Sequence, residues 1–272
     1  MKRPRPNMAR TETADTYDLA EPTLTGPPLP GKVIVAETAE GLIDGLSAEM
    51  VAQAQACVRQ FGDFHLALSG GSTPQPLYER LMYDPVSRSL PWARTHLWFV
   101  DERSVPLDDE RSNYRMIKET IVDHSGISRK QVHPIFTDSA SADIDYENQL
   151  REVMQSREQG QDRLDFVLLG MGDDGHTASL FPFNKALRET QRRVLCIDAQ
   201  GADPPQRVTM TFPLINAARM IVVFVTGSSK APTIQRVATG EESFEELPIK
   251  GVRPVAGELR WYLDAEAASV ET

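Results

Sequence analysis

Apolar residues at Leu42, Ile43, Leu46, Met50, Ala54, Cys57, Val58 and Phe61 recur at three- and four-residue steps, which predicts an amphipathic helix. The period then changes. "FHLALS", 64–69, is a short apolar run that predicts a buried strand leading into a glycine turn. Behind that turn Pro74 suits a first helical turn and Thr73 suits a cap, so "TPQPLYERL" predicts the next helix. A strand is expected at "THLWFV", and helices at "RSNYRMIKETIVDHSG" and "SADIDYENQLREVMQ", the last with a Ser or Asp start. "LDFVLLG", "RVTMTF" and "MIVVFVTG" supply three more strands, followed by the helix signal "SSKAPTIQRVATG". "GELRWYLD", 257–264, predicts a last strand at an edge.

Strands and helices therefore alternate along most of the chain. That is the pattern of an α/β fold, a three-layer α/β/α arrangement with a mainly parallel, Rossmann-like sheet and helices on both faces. Residues 1–30 show no such period and are rich in Pro, Thr and charge, so a flexible N-terminal tail is expected before a single α/β domain over 31–272.

Composition narrows the function classes. The 272 residues are 40% hydrophobic and 25% charged, enough apolar content for a substantial core. A formal net charge of −10 repels nucleic acid and anionic membrane, so neither is an expected partner, and an anionic ligand would need a local basic pocket. No apolar run reaches the roughly 20 residues of a membrane span, and the first residues lack the apolar core of a signal peptide. Two cysteines, Cys57 and Cys196, fit a reduced cytoplasmic protein rather than a disulfide scaffold, and neither looks like a nucleophile.

Four chemically unusual segments each follow an apolar strand: "SGGSTP", "DER", "GMGDDGHTASLFP" and "TGSSK". In an open parallel sheet, ligands bind outside the carboxyl ends of the strands, so these four loops are expected to meet there. Gly70 and Gly71 leave backbone N–H groups bare, and Ser72 and Thr73 add hydroxyls at a helix start, a combination suited to phosphate or carboxylate. A plain glycine turn with a helix cap explains the same residues equally well. Neither the dinucleotide fingerprint nor the P-loop pattern is present. Lys230 in a first helical turn opposes the helix dipole unless an anion lies nearby, although an exposed solubilising lysine is the commoner case. Arg103 and Arg207 are further anion candidates, each of which alone would more often be a surface ion-pair partner.

His176 follows a glycine turn, where an imidazole can be both accessible and held, and its intrinsic pKa suits proton transfer near neutrality. It is the best general-base candidate. Asp174 could orient it or bond a sugar hydroxyl, while Asp173 reads as solvent-facing and Asp-Gly is also a common turn. His65, His96, His124 and His133 look ordinary. A metal shared by "DER" and the Asp173–Asp174–His176 cluster is the rival reading. No His-x-x-x-His, cysteine pair or calcium loop supports it, and no Gly-x-Ser-x-Gly supports a serine hydrolase.

Taken in order, "LSGGSTP", "VDERSVPLDDERSNYRM", "LLGMGDDGHTASLFP", "RVTMTF" and "GSSKAP" resemble the 6-phosphogluconolactonase family, from about Gly31 to Asp264. The resemblance implies a fold shared with glucosamine-6-phosphate deaminases and ribose-5-phosphate isomerases. It implies hydrolysis of 6-phosphoglucono-1,5-lactone without a cofactor, so the expected partner is the small sugar-phosphate lactone; the sequence leaves a monomer and a homodimer equally open. Carried over by position, Gly70, Gly71, Ser72 and Thr73 would hold the phosphate or nearby ring oxygens, with positive charge from Arg103, Arg207 and Lys230. Asp101 and Asp174 would stand in the sugar pocket and His176 would be the base. The direction of the Arg207 strand stays open. Deaminase relatives carry a glutamate five residues after the histidine, where this chain has Phe181, which favours the lactonase over an isomerase or deaminase. A non-catalytic sugar-phosphate sensor is the alternative from another class.

Overall fold

The computed structural model describes residues 24–158 and 160–269. Most of the expected tail, 1–23, thus lies outside the described residues; over 24–30 the chain runs against the sheet, with Leu29 buried and the Pro30 carbonyl accepting from Trp261 Nε1 at 2.9 Å. Strand β1 (Lys32–Ala36) follows, then α1 (Ala39–Phe61). The Thr38 side chain caps α1 by accepting from Gly41 N–H, and Gly62 ends it at φ 91°, a left-handed conformation that glycine adopts freely. The helix turns Leu42, Leu46, Met50, Ala54 and Cys57 inward, as its period requires.

Next come β2 (Phe64–Leu68), α2 (Gln75–Tyr83), β3 (Thr95–Phe99), β4 (Asp101–Arg103) and α3 (Asn113–Ile117). The helix expected from "RSNYRMIKETIVDHSG" is a composite: α3 passes through a π-helical turn at Lys118–Val122 into α4 (Asp123–Ser125). Thr73 does not cap α2; Pro74 occupies the cap position without a side-chain bond, and Thr73 is left to face the cleft described below. The chain continues through β5 (Val132–His133), α5 (Ala142–Met154), β6 (Phe166–Leu169), β7 (Val194–Asp198) and β8 (Gln206–Met210). It ends with α6 (Phe212–Ile215), β9 (Met220–Val225), α7 (Ala231–Thr239), β10 (Glu258–Asp264) and α8 (Ala265–Ala268).

Seven strands form one parallel sheet in the order β1-β10-β9-β6-β2-β3-β5, the centre of a three-layer α/β/α fold. Its central strands β2, β6 and β9 are buried along their whole length, which explains why each reads as a continuous apolar run rather than an alternating one. Strand β10 is not at the edge. It lies between β1 and β9, and the short strand β1 takes the edge instead. The segment "RVTMTF" does not join this sheet either. As β8 it pairs antiparallel with both β4 and β7 in a separate three-stranded sheet, so "DER" is a strand rather than a loop.

Sheet order reverses at β2. The chain passes from β2 outward to β3 and β5, then returns to β6 on the opposite side of β2. Because β2 and β6 pair side by side through Leu66–Phe166 and Ala67–Val167, the loops leaving them open next to each other, at a topological switch point.

Candidate active site

Two loops leave the switch point. After β2, Ser69 turns inward, its hydroxyl donating to Leu168 O at 2.8 Å, while the buried Tyr78 hydroxyl donates to Ser69 O at 2.6 Å. Those bonds pin the glycine turn from below. Among the described residues the N–H groups of Gly70, Gly71, Ser72 and Thr73 donate to no backbone acceptor, and Gly71 sits at φ 101°, where only glycine is unstrained. After β6, Gly172 N–H donates to His176 O and Gly175 N–H to Gly172 O, closing a tight loop around the histidine. A Cβ on Gly172 would collide with the His176 ring, so the glycine makes room for the imidazole.

His176 Nδ1 lies 2.6 Å from Asp174 Oδ1, and the same oxygen accepts from His176 backbone N–H at 3.0 Å. Burial works against ionisation of Asp174, but the hydrogen bonds from the His176 ring and backbone outweigh it and hold the carboxyl below its ordinary value. An ionised carboxylate on Nδ1 keeps the proton there, which leaves Nε2 with its lone pair free to accept. The Phe181 ring stacks on the imidazole with centroids 4.4 Å apart, and the Arg207 guanidinium carbon lies 5.9 Å from the Phe181 centroid.

The small antiparallel sheet forms the facing wall. Asp101 is buried and accepts from Ser179 Oγ at 2.6 Å and from Asn113 Nδ2 at 3.2 Å. Arg103 donates to Asn113 Oδ1, and across the strand pair Arg103 is the direct register partner of Arg207. Arg207 is aimed by backbone carbonyls, with Nε donating to Pro204 O at 2.8 Å and Nη2 to Asp203 O at 3.4 Å. Burial lowers its guanidinium from the ordinary value; Asp101 opposes that shift and Arg103 adds to it. Below this wall the fully buried Glu102 accepts from Ser112 Oγ and from the backbone N–H groups of Arg103, Asn113 and Tyr114. Burial pushes its carboxyl up, against those donors.

One cleft therefore gathers Gly70, Gly71 and Thr73 from the first loop, His176 from the second, and Asp101, Arg103 and Arg207 from the wall. Ser72, Asp174 and Lys230 are not among its lining residues; Asp174 sits behind His176. Lys230 is engaged elsewhere, its Nζ 2.6 Å from Asp173 Oδ1, and Asp173 is indeed mostly exposed. Residues the sequence did not single out complete the lining, chiefly Asn113, Met171, Thr177 and Ala178. Ala178 adopts φ 49°, a strained conformation for a residue with a side chain, of the kind that clusters at functional sites. Asn113 was discoverable only as a serine-capped helix start, with Ser112 accepting from Arg115 N–H; nothing local shows that its amide reaches across to β4.

Of the two thiols, Cys57 is buried and its thiol pushed up to about 12, and burial also raises exposed-side Cys196, so neither is a thiolate near neutrality. Among the described residues no three His, Cys, Asp or Glu side chains converge as a metal-ligand set, and no helix is long and apolar enough to cross a membrane.

A family model for glucosamine-6-phosphate isomerases/6-phosphogluconolactonase matches residues 37–261. The GDH/6PGL endoplasmic bifunctional protein of Homo sapiens is 37% identical over 237 residues, 86% of this chain; the chain spans 30% of that protein's length. A 6-phosphogluconolactonase of Synechocystis sp. is 38% identical over 213 residues, covering 77% of this chain and 85% of the relative. Among solved structures, the 6-phosphogluconolactonase of Thermotoga maritima superposes with a TM-score of 0.73 at 28% identity, over 86% of this chain and 99% of that one. A monomeric glucosamine-6-phosphate deaminase, 22% identical with a TM-score of 0.71 over 88% of this chain and 100% of that one, shares the fold.

Proposed function

The chain belongs to the glucosamine-6-phosphate isomerase/6-phosphogluconolactonase family, and from that premise we propose that it hydrolyses 6-phosphoglucono-1,5-lactone to 6-phosphogluconate with His176 as general base. One observation carries the reading: two unpaired arginines oppose each other on the wall of the cleft that also holds His176. At this rim Asp174 is hydrogen-bonded to the His176 ring and Asp173 is paired with Lys230; Arg103 and Arg207 join no ion pair among the described residues. Like charges directly across a strand pair destabilise the sheet, and a doubly charged phosphate between them removes that conflict.

In this reading the phosphate lies between the arginines and the bare N–H groups of the glycine turn. Those contacts hold the lactone so that C1 faces His176, converting a bimolecular encounter into an oriented one. Nε2 accepts a proton from a water as its oxygen bonds to C1. The C1–O5 bond then breaks, and the proton returns from the imidazole to O5, which becomes the free hydroxyl of the open acid. Asp174 stabilises the imidazolium formed between the two transfers. Phe181 presents a ring face to the histidine where amine chemistry would need a second proton carrier, which supports the lactonase over the deaminase reaction. The carboxylate of Asp101, fixed by Ser179 and Asn113, is placed to accept from a sugar hydroxyl.

The test is direct. Purified protein is mixed with freshly prepared 6-phosphoglucono-1,5-lactone, and acid release is followed after subtracting spontaneous opening. Excess hydrolysis is expected, and its absence overturns the proposal. Ammonia release from glucosamine 6-phosphate would shift the reading to the deaminase, and binding of 6-phosphogluconate without lactone hydrolysis would shift it to a sensor.

A further inference from the structure

Asp101 and Arg103 sit two residues apart on β4, and residues so spaced project from the same face of a strand. Both line the cleft. Opposite charges in that position would ordinarily close on each other, and Arg103 would then be neutralised by its own chain before any substrate arrived. They do not pair. The Asn113 side chain lies between them: its Oδ1 accepts from Arg103 Nη1, and its Nδ2 donates to Asp101 Oδ1 at 3.2 Å and to Asp101 O at 2.9 Å. An amide offers an acceptor to the cation and two donors to the anion while carrying no charge itself.

The surroundings are built to hold that amide still. Asn113 is buried at the first turn of α3, and its backbone N–H donates to Glu102 Oε1 at 2.8 Å. Glu102 also takes the neighbouring donors of Ser112 and Tyr114, so a buried carboxylate clamps the segment that presents the amide. On the other side Gly70 rests against it; a Cβ there would collide with the Asn113 side chain. Asn113 thus touches the glycine turn, the buried acid and the free arginine at once, linking three parts of the site drawn from separate elements.

We infer that Asn113 is a positioning residue, an uncharged spacer that keeps Arg103 from pairing with Asp101 and so preserves its charge for the substrate's phosphate. The inference deepens the lactonase reading and rests on it for the identity of the anion. Removing the spacer lets Arg103 fold back on Asp101, which weakens phosphate binding and leaves the His176 chemistry in place. The effect should therefore appear in KM and in affinity for 6-phosphogluconate, and it should vanish when Arg103 is already absent.

A double-mutant cycle tests this. Affinity for 6-phosphogluconate is measured by calorimetry for the unaltered protein, Asn113→Ala, Arg103→Ala and the double variant, with steady-state lactone hydrolysis alongside. Asn113→Ala is expected to weaken binding and raise KM about tenfold, the size of one charge-assisted contact, with kcat within about threefold. In the Arg103→Ala background the same change should alter affinity by less than about twofold. Should Asn113→Ala lose its cooperative melt, Asn113→Ser carries the same cycle. An affinity unchanged by loss of Asn113, or an equal loss in both backgrounds, overturns the spacer role, because a merely structural defect would not depend on Arg103. Lactone hydrolysis absent from an unaltered protein whose cycle behaves as expected sinks the lactonase reading alone. Failure of the unaltered protein to bind 6-phosphogluconate sinks both.

Discussion

Arg103 and Arg207 face each other as register partners on the adjacent antiparallel strands β4 and β8, and among the described residues neither joins an ion pair. Like-charge pairs so placed oppose sheet formation by roughly 0.2–1 kcal/mol. The pair is therefore under a tension that an anion bound between the two groups relieves.

That tension predicts ligand-linked stability. At a 6-phosphogluconate concentration a hundred times Kd, binding adds about 2.7 kcal/mol. At roughly 2–4 °C for each kcal/mol in a domain of about this size, the melting temperature should rise by about 5–11 °C. Arg207→Ala should weaken binding about 10- to 100-fold, as loss of a charge-assisted contact does, and so remove about half or more of that rise at the same ligand concentration. Thermal melts with and without ligand check both statements, and an equal rise in the variant contradicts them.

Asp174 and His176 predict a division of labour. His176→Ala should lower kcat about 10²- to 10⁴-fold, the range of a lost general base, with affinity for 6-phosphogluconate little changed. Asp174→Asn removes the charge that holds the proton on Nδ1 and should also lower kcat with a small effect on KM. Gly172→Ala should reproduce part of the His176 defect from outside the ring, since its methyl group needs the space the imidazole occupies. Steady-state kinetics on the three variants decide the matter; a full-rate His176→Ala enzyme would leave the base unassigned.

A second histidine group predicts acid sensitivity. At the start of the sheet His65 and His96 are register neighbours, His96 Nδ1 lies 3.0 Å from His133 Nε2, and Trp98 stacks on His133 with centroids 3.9 Å apart. Burial first, then the neighbouring imidazoles, lowers His96 to about 4 and His133 to about 3; Asp63 works the other way on His96 and Arg157 works with burial. Both rings are thus neutral in the folded protein over a range where the unfolded chain, with histidines near 6.5, is already protonated. Between pH 6.5 and about 4 the unfolded state binds more protons, so stability falls with falling pH and is fully present only above 6.5. Urea denaturation at pH 7.5 and pH 5 should show the loss, and His133→Gln should shrink the difference. A flat profile would contradict the burial of these rings.

The ion cluster behind β6 predicts a stability defect unrelated to the cleft. Asp165 is fully buried and accepts from Arg157 Nη2 at 2.6 Å, Arg219 Nε at 2.9 Å and His65 N–H at 2.7 Å. Asp165→Ala leaves Arg219 without its carboxylate and Arg157 with Asp63 alone, and should cost about 3–5 kcal/mol, the range for breaking one side of a buried pair. Chemical denaturation measures this, and a cost below about 1 kcal/mol would show that water reaches the arginines.

What the sequence determined by itself is the local layer of this protein. Buried parallel strands must be apolar on both faces, so β2, β6 and β9 announce themselves as continuous runs, and the 3.6-residue period marks α1 without help from the rest of the chain. Glycine turns carry their own signature, and a histidine beyond one is visible wherever it ends up. Tertiary structure alone decided which strands are neighbours. Period and hydrophobicity record how deeply a strand is buried but not what covers its edges, so β10 looked peripheral although β1 lies outside it, and three-residue β4 left no pattern at all. The same limit governs the site. Arg103 meets Arg207 only because β4 and β8 pair over a hundred residues of chain, Lys230 reaches Asp173 instead of the cleft, and the amide of Asn113 finds Asp101 and Arg103 only once α3 is seated on Glu102. Contacts between segments distant in the chain are fixed by packing and register, which no window of neighbouring residues encodes.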